Sequence, residues 1–262
     1  MTALSKLKYF IATIIFLVIC VLTTAYQATI NVDIKNGDVI LNFTYAALFL
    51  CAFLFGGIVT GISGVFGICF YILLKNQSAW LALLGLIVGL TFAVITKLTS
   101  YLIDKNKLDK VALLISAGAF FIALGVIFTV ARACNGEFYI VKNTTIFIVF
   151  HWMQYVLPYI IGVIFILIAI FNKKLKESLS NMFITAAFVS ASVIVTYGIT
   201  CFLCSIKKIA FAQILANAYN NYFKNFFISL CLGLLIAMTL YVIGYLFLEL
   251  RRKVRIVLKD AE

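Results

Sequence analysis

The sequence predicts an all-α fold, a polytopic bundle of transmembrane helices, from three observations. Hydrophobic residues make up 65% of the chain and charged residues 11%, whereas soluble domains are about half apolar and about a quarter charged. The apolar residues fall into runs near the ~20 residues that a membrane-spanning helix needs. The whole chain contains one proline. We therefore expect residues 1–262 to form a single integral membrane domain.

Most of the apolar runs are candidate single spans. They cover residues 9–26, 79–103, 111–132, 145–171, 182–204 and 226–249. The remaining run, 43–74, would make a helix of roughly 48 Å, well over the ~30 Å hydrocarbon core of a bilayer. It is either one strongly tilted helix or two short helices that meet at its glycines. The second interpretation gives about eight spans and the first gives seven.

The basic residues indicate which loops share a side of the membrane. With eight spans both termini lie on the same side, and most of the twenty-one lysines and arginines lie there too. Cytoplasmic loops carry such an excess of basic residues. We therefore expect a multi-pass protein of the cell (inner) membrane with cytoplasmic N- and C-termini. The run from Arg251 to Arg255 favours the cytoplasmic C-terminus most directly.

One polar segment predicts a helix that lies on the membrane surface. Within residues 206–224, the apolar side chains of Ile206, Ile209 and Ile214 recur near one helical face, and Lys207 lies off that face. A basic amphipathic helix of this kind binds in the interface plane. We expect membrane lipid to be its partner.

Several classes of function are disfavoured by what the sequence lacks. The net charge of +12 does not indicate nucleic-acid binding, because no basic patch is interleaved with exposed aromatic residues. Cys201 and Cys204 form a lone C-x-x-C, and no second pair or histidine cluster completes a metal site. Phosphate loops and paired carboxylates do not occur. We therefore expect no metal, no cofactor and no enzymatic activity.

Glycine spacing predicts a helix-packing seam. Gly57, Gly61 and Gly64 follow one helical face, and Gly85 and Gly89 form a second small-x-x-x-small pair in the next span. In lipid, small residues allow two helix backbones to approach closely. Broken helices that line substrate cavities also collect glycine, so both a seam and a bend are expected here.

Polar side chains within the spans are the candidate ligand-binding residues. Four of them repeat at i, i+3, i+4 and i+8 on one face of the span 145–171, and the others stand in the next span or at the mouth of the second. The full set is His151, Gln154, Tyr155, Tyr159, Thr196, Tyr197 and Asn42. They predict a cavity for a small polar molecule, or else hydrogen bonds between helices and an aromatic belt at the headgroups.

Residues about 38–103 resemble the substrate-binding S-components of energy-coupling factor (ECF) vitamin transporters. The resemblance rests on the segments "GDVILNFTYAALFL", "LFGGIVTGISGVFG", "KNQS" and "LLGLIVGL". It implies a helical bundle that encloses a vitamin-like molecule and works with an energising ATPase and coupling subunit. The same stretch is similar to the multi-span sensor domains of LytS-type histidine kinases.

A serine motif supplies the third hypothesis. "GISG" around Ser63 resembles the G-x-S-G of rhomboid intramembrane proteases, and His151 is the one histidine of the chain. A Ser63–His151 dyad would need partner groups that the sequence lacks. The leading hypothesis is thus a membrane-embedded binding or transport subunit for a small molecule. A sensor or assembly module without transport comes second, and an intramembrane serine protease third.

Overall fold

The computed structural model describes residues 3–25, 28–30, 39–74, 79–105, 109–134, 145–205 and 224–259, and side chains within 7–23, 42–69, 86–105, 109–130, 155–200 and 226–252. The helices of this part are α1 (Ala3–Ala25), α2 (Thr44–Phe55), α3 (Gly57–Leu74), α4 (Ala79–Asp104), α5 (Lys110–Cys134), α6 (Thr145–Phe171), α7 (Glu177–Ser205) and α8 (Lys224–Lys259). A 3₁₀ turn, Asn172–Lys174, joins α6 to α7. The all-α prediction is confirmed.

A short β-hairpin that the sequence analysis does not predict connects α1 to α2. Strands β1 (Ala28–Ile30) and β2 (Val39–Leu41) pair antiparallel, with Thr29 opposite Ile40. β-Branched residues at these positions favour the extended conformation. The hairpin is too short to alter the fold class.

The run 43–74 forms two helices joined at Gly56. Gly56 has φ +78° and ψ −174°, a combination that is essentially restricted to glycine. Leu48 and Gly64 stand equally far from Gly56 along the chain, yet a Cβ at Gly64 would lie 2.9 Å from a Leu48 methyl group. One continuous helix would hold them roughly 24 Å apart. α2 and α3 therefore lie side by side as a helical hairpin.

Consecutive helices alternate in direction. The hydroxyl of Thr23 near the end of α1 bonds that of Thr44 at the start of α2, at 3.3 Å. The rings of Phe16 and Phe55 meet at the opposite ends of the same two helices, 5.6 Å apart. Contacts within the pairs α3–α4, α5–α6 and α7–α8 have the same antiparallel sense. Successive connections between helices therefore lie at opposite ends of the bundle.

The two ends differ in chemistry. The aromatic end is defined by Tyr45, Phe128, Tyr197, Phe226 and Phe227, which pack on one another where α2 and α8 begin. The opposite end holds the α2–α3 turn. We call it the basic end, and its described cationic residues are Lys8, Lys97, Lys105, Lys110, Lys173, Lys174, Lys176, Arg251 and Arg252. Among the described side chains, the cationic residues are thus concentrated at the basic end.

An ion pair joins α7 to α8 at the basic end. The Lys176 ammonium, just before α7, donates to the Glu249 carboxylate on α8, and it lies 5.8 Å from the centre of the Tyr245 ring. The hydrogen bond to Glu249 raises the pKa of Lys176. Because the folded pKa is raised, the contribution of this pair is present at neutral pH and is lost only as alkaline pH passes that pKa. Exposed pairs of this kind contribute little.

Phenylalanine rings occupy the centre of the bundle. Phe49 of α2 meets Phe92 of α4 edge to face, with ring centroids 4.9 Å apart. Phe121 of α5 and Phe165 of α6 lie 5.8 Å apart. All four side chains are fully buried, so the core links α2 and α4 on one side with α5 and α6 on the other.

Within the described part of the chain, five helices are long and apolar enough to cross a membrane. They contain the stretches Leu86–Asp104, Lys110–Val130, Tyr155–Lys174, Glu177–Thr200 and Phe226–Arg252. Three apolar helical stretches are shorter: Leu7–Thr23, Thr44–Phe55 and Gly57–Cys69. These lengths agree with a membrane protein, and the total of about eight crossings stays a prediction.

One predicted segment lies outside the described residues, and one helix is longer than its apolar run. The predicted surface helix, 206–224, lies outside the described residues except for Lys224, which begins α8. α8 continues past the predicted end at residue 249 to Lys259. The apolar run marks only where this helix can be buried, and the basic residues that follow it are also good helix formers.

Candidate functional site

The predicted ligand-binding residues of α7 and α2 lie near the aromatic end. The Tyr197 ring stacks on Phe226, with centroids 3.6 Å apart and planes at 13°. Tyr45 meets the edge of Phe226 at 5.4 Å. Such pairs contribute about 0.5–1.5 kcal/mol beyond the area they bury. Tyr197 therefore serves the α7–α8–α2 contact.

Asn42 serves the start of α2. Its side-chain oxygen accepts a hydrogen bond from the backbone N–H of Thr44 at 2.9 Å. Its own backbone N–H donates to the hydroxyl of Ser229 on α8 at 3.0 Å. A carboxamide that satisfies an otherwise unpaired N–H at a helix start positions that helix. The arrangement fixes where α2 enters the bundle beside α8.

Tyr159 of α6 lies toward α5. The Tyr159 ring packs over Gly125, where an added Cβ would lie 3.0 Å from the ring. Its hydroxyl is 3.3 Å from that of Thr129. Tyr155 is one turn earlier and buried, with 3% of its surface exposed. His151 and Gln154 belong to the same helix, but their side chains lie outside the described residues.

Thr196 lies apart from these contacts, on the wall of a groove of about 520 Å³ between α4, α5 and α7. Pockets for small molecules typically have ~300–1,000 Å³. Small side chains open the groove: Ala117 on α5 faces Ala187 and Ala191 on α7. Phe120 closes one side of it. The sequence hypothesis placed all candidates around one cavity, whereas the described ones occupy three neighbouring locations.

The groove contains two hydroxyl groups that are free to bind a ligand. Ser192 and Thr196 are one helical turn apart on α7, both are partly exposed, and neither hydroxyl has a hydrogen-bond partner among the described residues. The third hydroxyl, that of Ser116, already donates to the carbonyl oxygen of Ala112 at 2.8 Å. Sequence reasoning missed Ser192. Its i, i+4 spacing with Thr196 is the signal that could have found it.

The predicted glycine seam lies where α3 crosses α4. A Cβ at Gly57 would lie 2.3 Å from the carbonyl oxygen of Ala93, and one at Gly61 would lie 2.5 Å from the Ala93 side chain. A Cβ at Gly89 would meet the backbone nitrogen of Val65 at 2.8 Å. At Gly64 the crowding comes mainly from α2, through Leu48. Gly85 belongs to α4, with its surroundings outside the described side chains.

A second glycine seam, which the sequence analysis did not identify, joins α5 to α6. A Cβ at Gly118 would lie 2.8 Å from the carbonyl oxygen of Gly162, and one at Gly162 would lie 2.8 Å from that of Gly118. Gly125 continues the same face of α5 under Tyr159. The seven-residue spacing of Gly118 and Gly125 was the available signal. This seam holds α5, one wall of the groove, against α6.

Ser63 faces α1. Its side chain is fully buried, and its hydroxyl donates to the carbonyl oxygen of Thr13 at 3.3 Å. α3 packs against α1, α2 and α4, whereas α6, the helix of His151, packs against α5, α7 and α8. These contacts describe a link between helices and give the proposed serine–histidine dyad no support.

No group of three histidine, cysteine or acidic side chains in the described part of the chain could hold a metal ion. Cys201 and Cys204 lie on α7, with side chains outside the described residues.

Comparison with known proteins finds no matching family model, no matching curated protein and no matching solved structure.

Proposed function

We propose that this chain is a membrane-embedded binding subunit for a small molecule, held in the groove between α4, α5 and α7 and moved with energy from a partner subunit. The observation that carries the proposal is a pair of hydroxyls, those of Ser192 and Thr196, that have no hydrogen-bond partner among the described residues and lie on the wall of a groove of about 520 Å³. Binding sites of this size are mainly apolar and contain a few placed polar groups.

The residues that line the groove indicate what kind of ligand would fit it. Alanines and large apolar residues such as Ile95 and Phe120 favour an apolar or aromatic body. Ser192 and Thr196 lie roughly 6 Å apart along the axis of α7, so together they suit a molecule with two polar atoms at that separation. The vitamin-like ligand that the ECF resemblance implies has this general character. The described residues that line this groove include no lysine, arginine or carboxylate, which favours an uncharged molecule.

The bundle would cross the membrane eight times. α2 and α3 supply the additional pair of crossings, and the alternation of helix directions brings both termini to the basic end. Placing that end in the cytoplasm follows the positive-inside rule. The energising partner would be an ATPase with its coupling subunit, because the chain contains no phosphate-binding loop of its own.

Replacing Ala191 by tryptophan tests the groove. The indole would occupy the space between α5 and α7, so we expect retention of the co-purifying small molecule to fall by about tenfold or more, equivalent to ~1.4 kcal/mol. Native mass spectrometry of the purified full chain measures the retained mass. Ala119→Trp is the matched control, because Ala119 is exposed on α5 and is not among the residues that line the groove, so its replacement should leave retention unchanged.

Three outcomes would contradict parts of the proposal. Equal retention by Ala191→Trp and the unaltered protein would show that the ligand is not held in this groove. Full retention by a Ser192→Ala, Thr196→Val double variant would show that the two hydroxyls do not contribute to recognition. Binding that survives, together with co-purification of a kinase or cyclase and no ATPase, would instead identify the second hypothesis, a membrane sensor.

A further inference from the structure

A second cavity, of about 480 Å³, lies on the other side of the bundle between α1, α3 and α4. Its floor is formed by α3 at Gly57, Ile58 and Ile62, and its walls include Tyr9 on α1 and Lys97 on α4. The isoleucines are open to the surroundings, with 64% and 40% of their surfaces exposed. We refer to this cavity as the basic-end notch.

The notch exists because α3 begins about two helical turns inside the basic end of the bundle. Gly57, the first residue of α3, is level with Lys97, since a Cβ at Gly57 would lie 3.1 Å from the Lys97 Cβ. α4 continues from Lys97 to Asp104, which adds roughly 10 Å of helix. The α2–α3 turn therefore stops about two helical turns short of the end of α4. Among the described helices, α1 and α4 bound the space beyond the turn.

Two hydrogen-bond donors in the notch are uncommitted. The hydroxyls of Thr13 and Ser100 donate to carbonyl oxygens of their own helices, at 2.7 Å and 3.0 Å. Lys97 and Tyr9 have no hydrogen-bond or ion-pair partner within the described part of the chain. Asp104 shares the Lys97 face of α4 but is roughly 10 Å further along the helix, beyond ion-pair distance.

We propose that the basic-end notch binds one anionic phospholipid, with its phosphate at the Lys97 ammonium and the Tyr9 hydroxyl and an acyl chain along Ile58 and Ile62. An ammonium two turns inside an apolar helix is costly unless an anion and hydrogen-bond acceptors accompany it. The lysine stem can direct the charge toward the headgroup level. An amphiphile with an anionic head satisfies both the cation and the exposed isoleucines beside it.

The surrounding charge favours an anionic lipid over a neutral one. Lys8, exposed on α1 beside the notch, and Lys105 at the end of α4 have the same sign as Lys97. Basic residues close to a membrane surface attract anionic lipid with about 1 kcal/mol each. When the acyl chain of a lipid lies on the isoleucine floor, its phosphate would be close to these positive charges.

Lipid titration of the purified full chain tests the proposal. We expect delipidated protein to retain phosphatidylglycerol, but not phosphatidylcholine, in native mass spectrometry. Lys97→Gln should weaken retention about tenfold, because the charged partner of the phosphate is lost, whereas Lys97→Arg should preserve it. The matched control is Lys174→Gln, an exposed lysine of the basic end outside the notch, and it should bind as the unaltered protein does.

A substitution on the isoleucine floor of the notch provides an independent test. Ile62→Trp keeps every charge but occupies the chain-binding surface, so it should also lower phosphatidylglycerol retention. Thermal unfolding of each variant identifies any loss of fold, and the folded Lys97→Arg protein keeps the comparison usable if Lys97→Gln unfolds.

Four results would overturn the proposal. Equal losses for Lys97→Gln and Lys174→Gln would mean general electrostatic attraction, and unchanged retention by Ile62→Trp would mean that the floor takes no part. Displacement of the lipid by excess inorganic phosphate would identify a site for a free anion. A photo-crosslinker at residue 62 that captures an acidic protein segment from native membranes, with no lipid adduct, would identify a protein partner.

Discussion

Replacing Gly57 by alanine is expected to lower the free energy of unfolding by about 3 kcal/mol, at the upper end of the usual cost of overpacking. The new methyl group would lie 2.3 Å from the carbonyl oxygen of Ala93 and 2.9 Å from the backbone nitrogen of Lys97. Both are backbone atoms of α4 and cannot rotate away. α3 and α4 must therefore separate, which loosens the seam. Reversible unfolding in mixed detergent micelles, followed by circular dichroism, measures the loss.

Gly244→Ala is the matched control. Gly244 is a helical glycine of α8 with nothing within 4 Å of an added Cβ. Alanine in an exposed helix interior is favoured over glycine by about 0.5–1 kcal/mol, so this variant should be as stable as the unaltered protein or slightly more stable. Equal destabilisation by the two substitutions would contradict the seam, because it would show that glycine content rather than close approach matters.

Gly56→Ala is expected to cost about 1–3 kcal/mol for a different reason. Gly56 has φ +78° and ψ −174°, which an L-residue adopts only with strain, but nothing lies within 4 Å of its added Cβ. The loss should therefore come from the backbone alone. Gly56→Ser should cost about as much as Gly56→Ala when measured by the same unfolding transition.

A steric origin for the Gly56 effect would give a different pattern. The loss would then grow steadily with side-chain size from alanine to leucine. Full stability of Gly56→Ala would show that the turn has another conformation in solution, and the side-by-side arrangement of α2 and α3 would lose its explanation.

The helices could be predicted because each depends on the length of an apolar run. The run 43–74 was also informative, since it is too long for one crossing and contains glycines. The sequence could not tell whether the chain reverses at Gly56 or at Gly57. The structure gives the two glycines different roles: Gly56 has the positive φ of the turn, and Gly57 makes the close approach to Ala93 and Lys97 of α4.

The candidate site was harder to predict because a groove is defined by missing volume. Periodicity placed Tyr155 and Tyr159 on one face of α6, and the structure directs Tyr159 to α5. Ala187 and Ala191 carry no chemical signal of their own, and they line a cavity because α7 meets α4 and α5, which are distant from it in sequence. Thr196 was identified as polar, but its orientation toward α4 and α5 required the packing.

Because α3 begins inside the basic end of the bundle, it is short, and its length affects the surrounding bilayer. Lipid beside α3 would adjoin an apolar helix of roughly 27 Å, whereas α4 and α5 are longer. Acyl chains on that flank would have to shorten or tilt to match it, and such hydrophobic mismatch costs fractions of a kcal/mol per Å. The protein would therefore thin one side of its lipid annulus, and it would be sorted toward membranes whose hydrocarbon layer is already thin.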